Sequence, residues 1–229
     1  LARQWGSWII EDDYDSEFRF TGRPIPCLQG LEPDAPVIYL GTFSKTLYPG
    51  LRLAYLVLPK SLVGAFHAAH GELYREGHLM THAAVAIFIA EGHYAAHVRR
   101  MRMLYGRRRA MLVNLIERRL GPGWLHRDSS DAGLHLVLDL PADLSDEAVV
   151  HAAHARGVLT RPLSRYYDAA PDGGEPPRQG LLLGYACVPE ADIARKFEAL
   201  LESLSEVARR RGKPEGYTCA LLVYTTPAV

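Results

Sequence analysis

The sequence predicts an α/β protein. Two short runs, at 37–40 and 51–58, are rich in apolar, β-branched and aromatic residues, which is typical of buried strands. Between positions 81 and 120 the apolar residues recur at helical spacing, and beyond position 121 strand-like and helix-like segments alternate. Strands separated by helices are expected to form sheets that helices cover.

The first half of the chain is expected to hold the sheet residues nearest to a functional site. A helix ends near Trp5, and a strand follows at 7–10. The high density of prolines and glycines predicts a loop over 21–36. These residues are Gly22, Pro24, Pro26, Gly30, Pro33 and Pro36. After the strands at 37–40 and 51–58, Lys60 and Ser61 are expected to cap a helix that runs to about position 70.

The second half is expected to begin with helices and to continue as a small α/β domain. The helical pattern of 81–120 is expected to form two helices or one long bent helix, with a break at Gly92. The predicted elements that follow are a strand at 134–140, a helix at 145–156 capped by Ser145 and ended by Gly157, a strand at 158–163, a loop at 168–179, a strand at 181–186 and a closing helix at 190–210.

Composition excludes several classes of protein. The 229 residues are 48% hydrophobic, which supports a packed core. The 26 basic residues equal the 26 acidic ones, so no electrostatic footprint of a nucleic-acid-binding protein covers the chain. Three scattered cysteines fit a reducing cytoplasm, and no apolar run predicts a membrane span or a signal peptide. The chain opens on Leu1 rather than methionine, so we expect an upstream part in the parent protein.

The loop at 41–50 collects groups that suit a phosphate-bearing aldehyde. It holds Thr42, Ser44 and Lys45, and Arg52 stands two residues after the Pro-Gly turn that ends it. Hydroxyls and a forked guanidinium bind phosphate, whereas a primary amine forms an imine with an aldehyde. In that turn, Gly50 is expected to let the backbone pass close to a ligand.

An acidic cluster follows the first predicted strand, in the sequence IIEDDYDSEF at 9–18. Open α/β sheets place ligand-binding groups at this end of their strands. One carboxylate there could keep a pyridine nitrogen protonated, and a phenol could donate a hydrogen bond to the ring's O3′. Asp, however, also favours turns and helix starts, and the plainer alternative is that the cluster is a solvated turn.

Together, EDDYDSEF and GTFSKTLYPGLRLAYLVLP resemble the aminotransferase-like domain of the MocR regulators, within the GntR superfamily of bacterial transcription factors. The resemblance continues through EGHYAAHVRRMRMLYGRRR, AGLH and PLSRYY. It implies a fold-type-I aminotransferase-like fold that binds pyridoxal 5′-phosphate. The implied domains are the second half of the large domain at 1–92 and the small C-terminal domain at 93–212, with a tail of unknown role at 213–229.

The resemblance also implies roles for individual residues. Lys45 matches the lysine that forms the internal aldimine, and Asp12, 33 residues upstream, matches the aspartate that faces the pyridine nitrogen. The other matches are Tyr14 to the O3′ partner, Thr42, Ser44 and Arg52 to the phosphate contacts, and Arg165 to the arginine that anchors an amino-acid carboxylate.

Each of these assignments has a plainer alternative. Asp13 and Asp15 compete with Asp12 for the ring nitrogen, because a one-residue slip is compatible with the sequence. Arg52 could be an arginine at a strand edge, and Arg165 a surface arginine in a loop. A lysine in a loop is usually solvated, but the apolar strands on both sides and the spacing to EDDYD favour the functional interpretation of Lys45.

Other patterns in the sequence favour ordinary structural roles. Histidines stand three or four apart in several places, including His93 and His97, but no third metal ligand has the usual spacing. The basic run at 99–109 is expected to be the solvated face of an amphipathic helix. The chain lacks the motifs of dinucleotide binding, serine hydrolysis and P-loop chemistry.

The function implied by the resemblance is effector sensing. A small amino compound would replace Lys45 on the cofactor as an external aldimine, and the change would pass to an upstream DNA-binding module in a homodimer. The alternative is a catalytically active class I/II aminotransferase, in which Lys45 is the general base. A third possibility is a degenerate fold that binds no cofactor and only mediates dimerisation.

Overall fold

The computed structural model describes residues 1–74, 77–126, 132–167 and 177–210. The predicted tail at 213–229 and most of the predicted loop at 168–179 lie outside these residues. The described strands are β1 (Ile9–Asp13), β2 (Val37–Thr42), β3 (Ala54–Val57), β4 (His135–Asp139), β5 (Arg161–Pro162) and β6 (Gly180–Gly184). The described helices are α1 (Ala2–Trp5), α2 (Phe43–Thr46), α3 (Lys60–Leu73), α4 (Leu79–Ala90), α5 (His93–Arg119), α6 (Asp146–Ala155) and α7 (Glu190–Arg210).

The chain forms two compact units, one covering Leu1–Met103 and the other beginning at Leu104. The boundary between them falls inside α5. No described helix is both long enough and apolar enough to cross a lipid bilayer.

The first unit contains a sheet in the order β1-β2-β3, in which β1 and β2 are parallel and β3 is antiparallel to β2. Asp12 is paired with Leu40 and Asp13 with Gly41. The sequence placed the acidic cluster after the strand, but Glu11, Asp12 and Asp13 lie within β1 because the ladder with β2 continues through them.

The third strand differs from the prediction of a buried strand. All four residues of β3 are exposed, whereas β2 has buried residues at Val37 and Gly41. Within the described residues β3 is hydrogen-bonded only along its β2 side, and its side chains Tyr55, Leu56 and Val57 remain 37%, 46% and 40% exposed. An apolar composition therefore identified the strand but not its burial.

The helices of the first unit follow the prediction closely. The break at Gly92 is confirmed, since this residue adopts φ 78° between α4 and α5. A left-handed backbone conformation is readily available only to glycine, which explains why the helical pattern is interrupted there. The predicted cap of α3 is wrong in detail, because Pro59 occupies the N-cap position and α3 starts at Lys60 without a side-chain cap.

The second unit contains an antiparallel sheet in the order β4-β6-β5, and α6 packs against α7. Its core consists of side chains with little or no exposure, among them Leu136, Leu138, Val149, Leu181, Phe197 and Leu200. The predicted cap of α6 is confirmed, because the Ser145 hydroxyl accepts a hydrogen bond from the amide of Ala148 at 3.3 Å.

The strand predicted at 158–163 is shorter in the structure, where β5 covers only Arg161–Pro162. Pro162 has no amide proton to donate to the ladder. Just before the strand, Thr160 contacts β6 through its side chain instead, donating from its hydroxyl to the carbonyl of Leu182 at 2.7 Å. Side-chain bonding therefore replaces part of the backbone ladder that the apolar pattern predicted.

Candidate functional site

The candidate site lies at one edge of the first sheet. Because β1 and β2 are adjacent and parallel, their carboxyl ends meet at the same edge, where α/β folds collect ligand groups. Asp12 and Tyr14 stand at the end of β1, and Lys45 lies on α2 directly after β2. The antiparallel β3 begins at this same edge, where Ala54 is paired with Thr42, and Arg52 lies two residues before it.

The turn that carries Lys45 is ordered by Thr42. The Thr42 hydroxyl accepts a hydrogen bond from the amide of Ser44 at 3.1 Å and directs its own proton towards the carbonyl of Leu53 at 3.4 Å. Thr42 thus caps the short helix α2 and ties it to the chain that leads into β3. The sequence did not indicate this capping role, and the predicted contact of Thr42 with a phosphate stays a prediction.

Three other predicted residues present free polar groups. Lys45 and Arg52 are exposed and Ser44 is half-buried, and none of their side chains is engaged by another of the described residues. An amine, a hydroxyl and a guanidinium that no neighbour occupies can be shared with a ligand at no loss of internal bonds. Arg52 adopts φ 51°, a left-handed conformation that is uncommon for a residue with a side chain.

Successive side chains of β1 point to opposite faces of the sheet, so the competing residues Asp12 and Asp13 lie in different environments. Asp13 accepts hydrogen bonds from the Ser16 hydroxyl at 2.6 Å, the Ser16 amide at 3.1 Å and the Tyr39 hydroxyl at 2.8 Å. Partial burial acts to raise the pKa of Asp13, but the hydrogen bonds from Ser16 and Tyr39 outweigh it and lower the pKa below its usual value. Asp12 points to the opposite face of the strand and is exposed.

Tyr14 lies between two carboxylates. The negative charge of Asp15, then partial burial, then the charge of Asp12 raise the pKa of the Tyr14 phenol above its usual value. The phenol therefore keeps its proton throughout the physiological pH range. A neutral phenol is the form that can donate a hydrogen bond to a ligand oxygen.

Aromatic rings support the turn from the Asp13 face of the sheet. Phe43, the first residue of α2, packs against Tyr55 at 5.3 Å between ring centroids and edge-on against Tyr94 at 5.7 Å. A Cβ on Gly41 would lie only 2.2 Å from the Tyr55 ring, so glycine leaves the space that this ring occupies. The glycine within an apolar strand was the sequence signal for such a close approach.

The predicted close approach of a ligand to Gly50 stays a prediction. In the structure, a Cβ at this position would lie 2.4 Å from the ring of Tyr48, so glycine leaves space for this side chain.

His97 is a supporting residue that the sequence did not identify. Its Nε2 lies 3.0 Å from the backbone carbonyl of Thr46, the residue directly after Lys45. A carbonyl only accepts hydrogen bonds, so Nε2 carries the proton in this contact. The sequence spacing only pairs His97 with His93, and the described residues hold no group of His, Cys, Asp and Glu side chains suited to a metal.

Arg165 belongs to the second unit. It lies in a 3-10 turn, Ser164–Tyr166, and its side chain is exposed and without a partner among the described residues. The backbone of this turn is fixed by the carboxylate of Asp146, to which Ser164 donates from both its amide and its hydroxyl.

The fold and the polar groups at the carboxyl edge of β1 and β2 define an aminotransferase-like protein of the pyridoxal-phosphate type. Residues 2–171 match the model of the family "Aminotransferase class I and II", and the chain belongs to that family. Its fold is also that of the α-aminoadipate aminotransferase LysN from Thermus thermophilus, solved with N-(5′-phosphopyridoxyl)-L-leucine. The TM-score is 0.74 at 25% identity, over 91% of this chain and 53% of LysN.

Its curated relatives include helix-turn-helix regulators of the MocR type. The probable rhizopine catabolism regulatory protein MocR of Rhizobium meliloti is 46% identical over 87% of this chain and 39% of the relative. The uncharacterized HTH-type transcriptional regulator YdeL of Bacillus subtilis (strain 168) is 37% identical over 85% of this chain and 41% of the relative. The chain thus spans about two fifths of the length of these regulators.

The family implies pyridoxal 5′-phosphate as the cofactor, and the groups at the sheet edge fit it. They comprise the primary amine of Lys45, the hydroxyl of Ser44 and the guanidinium of Arg52, none of them bound within the described part of the chain, together with a solvent-facing carboxylate on Asp12 and a neutral phenol on Tyr14. These match, in turn, an aldehyde, a phosphate, a protonated ring nitrogen and a ring oxygen.

Proposed function

We propose that this chain is the effector-sensing domain of a bacterial MocR-type transcriptional regulator, and that it binds pyridoxal phosphate at the carboxyl edge of β1 and β2. The observation that carries the proposal is that Asp12 and Tyr14, at the end of β1, and Lys45, directly after the adjacent parallel strand β2, belong to the same edge of the sheet in a chain similar to known regulators. The bound cofactor would supply an aldehyde and an electron-withdrawing ring.

Each side chain at this edge would bind a different part of the cofactor. Lys45 would hold the aldehyde carbon through Nζ, and Asp12 would keep the ring nitrogen protonated. Tyr14 would donate its proton to the ring oxygen. The phosphate would be bound by Ser44 and Arg52, with Thr42 ordering the turn or adding a contact of its own. Asp13 is less suited to the ring nitrogen, because its carboxylate is already engaged by Ser16 and Tyr39.

An amino compound would act as the effector by replacing Lys45 on the aldehyde carbon, as an external aldimine. Arg165 would bind the carboxylate of this compound, since a guanidinium forms paired hydrogen bonds with carboxylates. Regulation requires that the effector bind one conformation of the whole protein more tightly than another. The DNA-binding part would lie in the portion of the full-length protein that this chain does not span.

A homodimer is the assembly that we infer for the complete protein. Helix α4 supports this inference, because its large apolar side chains are exposed, with Leu79 at 70%, Met80 at 86% and Ile87 at 57%. Exposed apolar residues gathered on one helix indicate an interaction surface. Sedimentation of the complete protein tests the assembly, and a monomer at micromolar concentration would contradict it.

Absorption spectroscopy of the full-length protein tests the role of Lys45. Incubation with pyridoxal phosphate should produce the visible band of an imine, and Lys45→Ala should abolish it. Lys60→Ala is the matched control, because Lys60 is also exposed and begins α3 away from the loop. An unchanged band in the Lys45 variant would remove the proposed role of this amine.

A catalytically active aminotransferase is the second candidate. The similarity of the fold to LysN favours it, and the amine of Lys45 could serve as a general base. Full-length protein with one amino donor and one keto-acid acceptor distinguishes the two candidates. Many turnovers per cofactor would support the enzyme, whereas at most one turnover, together with a change in DNA binding, would support the regulator.

A further inference from the structure

A buried carboxylate lies behind the turn that carries Arg165. Asp146 is the first residue of α6, and only 1% of its surface is exposed. Buried carboxylates are uncommon, since removing a charge from water is costly unless hydrogen bonds replace the lost hydration. The bonds made by Asp146 therefore indicate what this position requires.

All described bonds of the Asp146 carboxylate lead to two other segments. Oδ2 accepts the amide protons of Ser164 at 2.8 Å and of Gly180 at 3.2 Å, and Oδ1 accepts the Ser164 hydroxyl at 2.7 Å. The amide of Asp146 donates to Oε1 of Gln179 at 2.9 Å. One side chain thus joins the start of α6, the start of β6 and the turn Ser164–Tyr166.

The turn is held on both sides of Ser164. The amide of Leu163 donates to the carbonyl of Gly180 at 2.8 Å, and Ser164 is bound twice by Asp146. Arg165 follows directly, with its side chain in solvent. Its backbone is therefore anchored by a buried group, while its guanidinium has no partner among the described residues.

We infer that Asp146 is a positioning residue for ligand binding by Arg165. The inference rests on the proposed function, in which Arg165 binds the carboxylate of an amino compound. A guanidinium that forms two parallel hydrogen bonds must be held in one orientation, and supporting hydrogen bonds to the backbone that carries it supply that order. Asp146 supplies those bonds without touching the ligand.

Three variants separate the hydrogen bonds that Asp146 makes to the turn from a purely structural role of this residue. In Asp146→Asn, the amide oxygen can accept the protons of Ser164 and Gly180, and the amide nitrogen can donate to the Ser164 hydroxyl. This variant keeps every bond to the turn, whereas Asp146→Ala loses them all. Ser145→Ala is the matched control, because it removes the cap of α6 and leaves the turn untouched.

Two aminooxy probes isolate the contribution of the carboxylate. Aminooxyacetate and methoxyamine both displace the Lys45 amine from the aldehyde carbon, forming an oxime and releasing the free lysine. Only aminooxyacetate carries a carboxylate for Arg165. The rate constant of aminooxyacetate divided by that of methoxyamine is measured on full-length protein loaded with pyridoxal phosphate. This ratio reports how well Arg165 is oriented to bind the carboxylate.

We expect Arg165→Ala and Asp146→Ala each to lower this ratio by about tenfold, the loss typical of one charged hydrogen-bonded contact. Asp146→Asn and Ser145→Ala should stay within about twofold of the wild type, by the same measure. Amide hydrogen exchange gives a readout that needs no ligand: the protons of Ser164 and Gly180 should exchange faster in Asp146→Ala and at the wild-type rate in Asp146→Asn.

The outcomes separate this inference from the proposed function. An unchanged ratio in Arg165→Ala would overturn the proposed role of the arginine itself. A lowered ratio in Arg165→Ala, with an unchanged ratio in Asp146→Ala, would overturn only the positioning role. If Asp146→Ala does not fold, Ser164→Ala decides: a ratio lowered severalfold supports the inference, and an unchanged one contradicts it.

Discussion

His97 contacts the backbone carbonyl of Thr46 at 3.0 Å, and Thr46 directly follows the lysine proposed to hold the cofactor. The contact runs from the start of α5 to the end of α2, so it fixes the last carbonyl of a helix only four residues long. So short a helix has little stability of its own and depends on contacts of this kind.

Replacement of His97 should therefore weaken cofactor binding. We expect His97→Phe to lower the affinity for pyridoxal phosphate about fivefold, the effect of losing one ordinary hydrogen bond. His97→Gln retains an N–H donor and should lose less. Titration of the full-length protein, followed by the visible absorption of the imine, measures both effects. His93→Ala is the control, since His93 pairs with Glu91 at the surface, and an equal loss in that variant would contradict the prediction.

Asp13 should contribute stability that depends on pH. Its pKa in the folded state is lowered, so its contribution is present above the unfolded-state pKa of about 4 and is lost as the pH falls through the folded-state pKa. We expect Asp13→Asn to cost about 1 kcal/mol at pH 7, discounted for the partial exposure of the carboxylate.

Urea unfolding at pH 7 and at pH 3 measures this difference. The gap between wild type and Asp13→Asn should narrow at pH 3, because the unfolded chain takes up a proton on this carboxylate at a higher pH than the folded protein does. Ser16→Ala removes one donor to the carboxylate and should show a smaller gap with the same trend. A gap independent of pH would show that the charge of Asp13 plays no part.

The phenol of Tyr14 should titrate at a higher pH than an ordinary tyrosine. Its pKa is raised first by the charge of Asp15, with a smaller effect from Asp12. Asp15→Asn should therefore move the titration towards lower pH by more than Asp12→Asn does. The difference in absorbance at high pH between each protein and its Tyr14→Phe counterpart isolates the single phenol. The reverse order of the two shifts would contradict the prediction.

Addition of a methyl group at Gly41 should destabilise the first unit through Tyr55. The added carbon would lie 2.2 Å from the ring, which must then leave its place beside Phe43. We expect Gly41→Ala to cost roughly 1–3 kcal/mol, the usual effect of overpacking. In a Tyr55→Ala background the cost should largely disappear, and chemical unfolding of the four proteins in this cycle measures the coupling. Equal costs in both backgrounds would assign the effect to the backbone instead.

The sequence predicted the elements better than their surroundings. The bounds of α7 and the break at Gly92 agree with the structure because amphipathic period and glycine conformation are local properties. The exposure of β3 and the shortness of β5 were missed because burial and pairing depend on distant segments of the chain.

The candidate site was likewise predicted where local sequence decides and missed where distant segments meet. Its residue types and their spacing could be read from the sequence, and the parallel pairing of β1 with β2 accounts for their common edge. The supporting contacts of His97 and Asp146 could not be read, because each joins residues far apart in sequence and neither belongs to a local motif. Short-range patterns in the sequence predict candidate ligand-binding groups, but not the residues that support them.

The alternation of side chains along β1 limits how the length of this segment can change. Asp12 and Asp13 are chemically identical neighbours, yet Asp12 faces solvent at the edge and Asp13 is half-buried and hydrogen-bonded to Ser16 and Tyr39. Loss or gain of a single codon before this pair would exchange the two faces and send each carboxylate to the wrong environment. We therefore expect point substitutions to be tolerated here more readily than length changes, which deep insertion–deletion scanning of residues 7–13 would reveal.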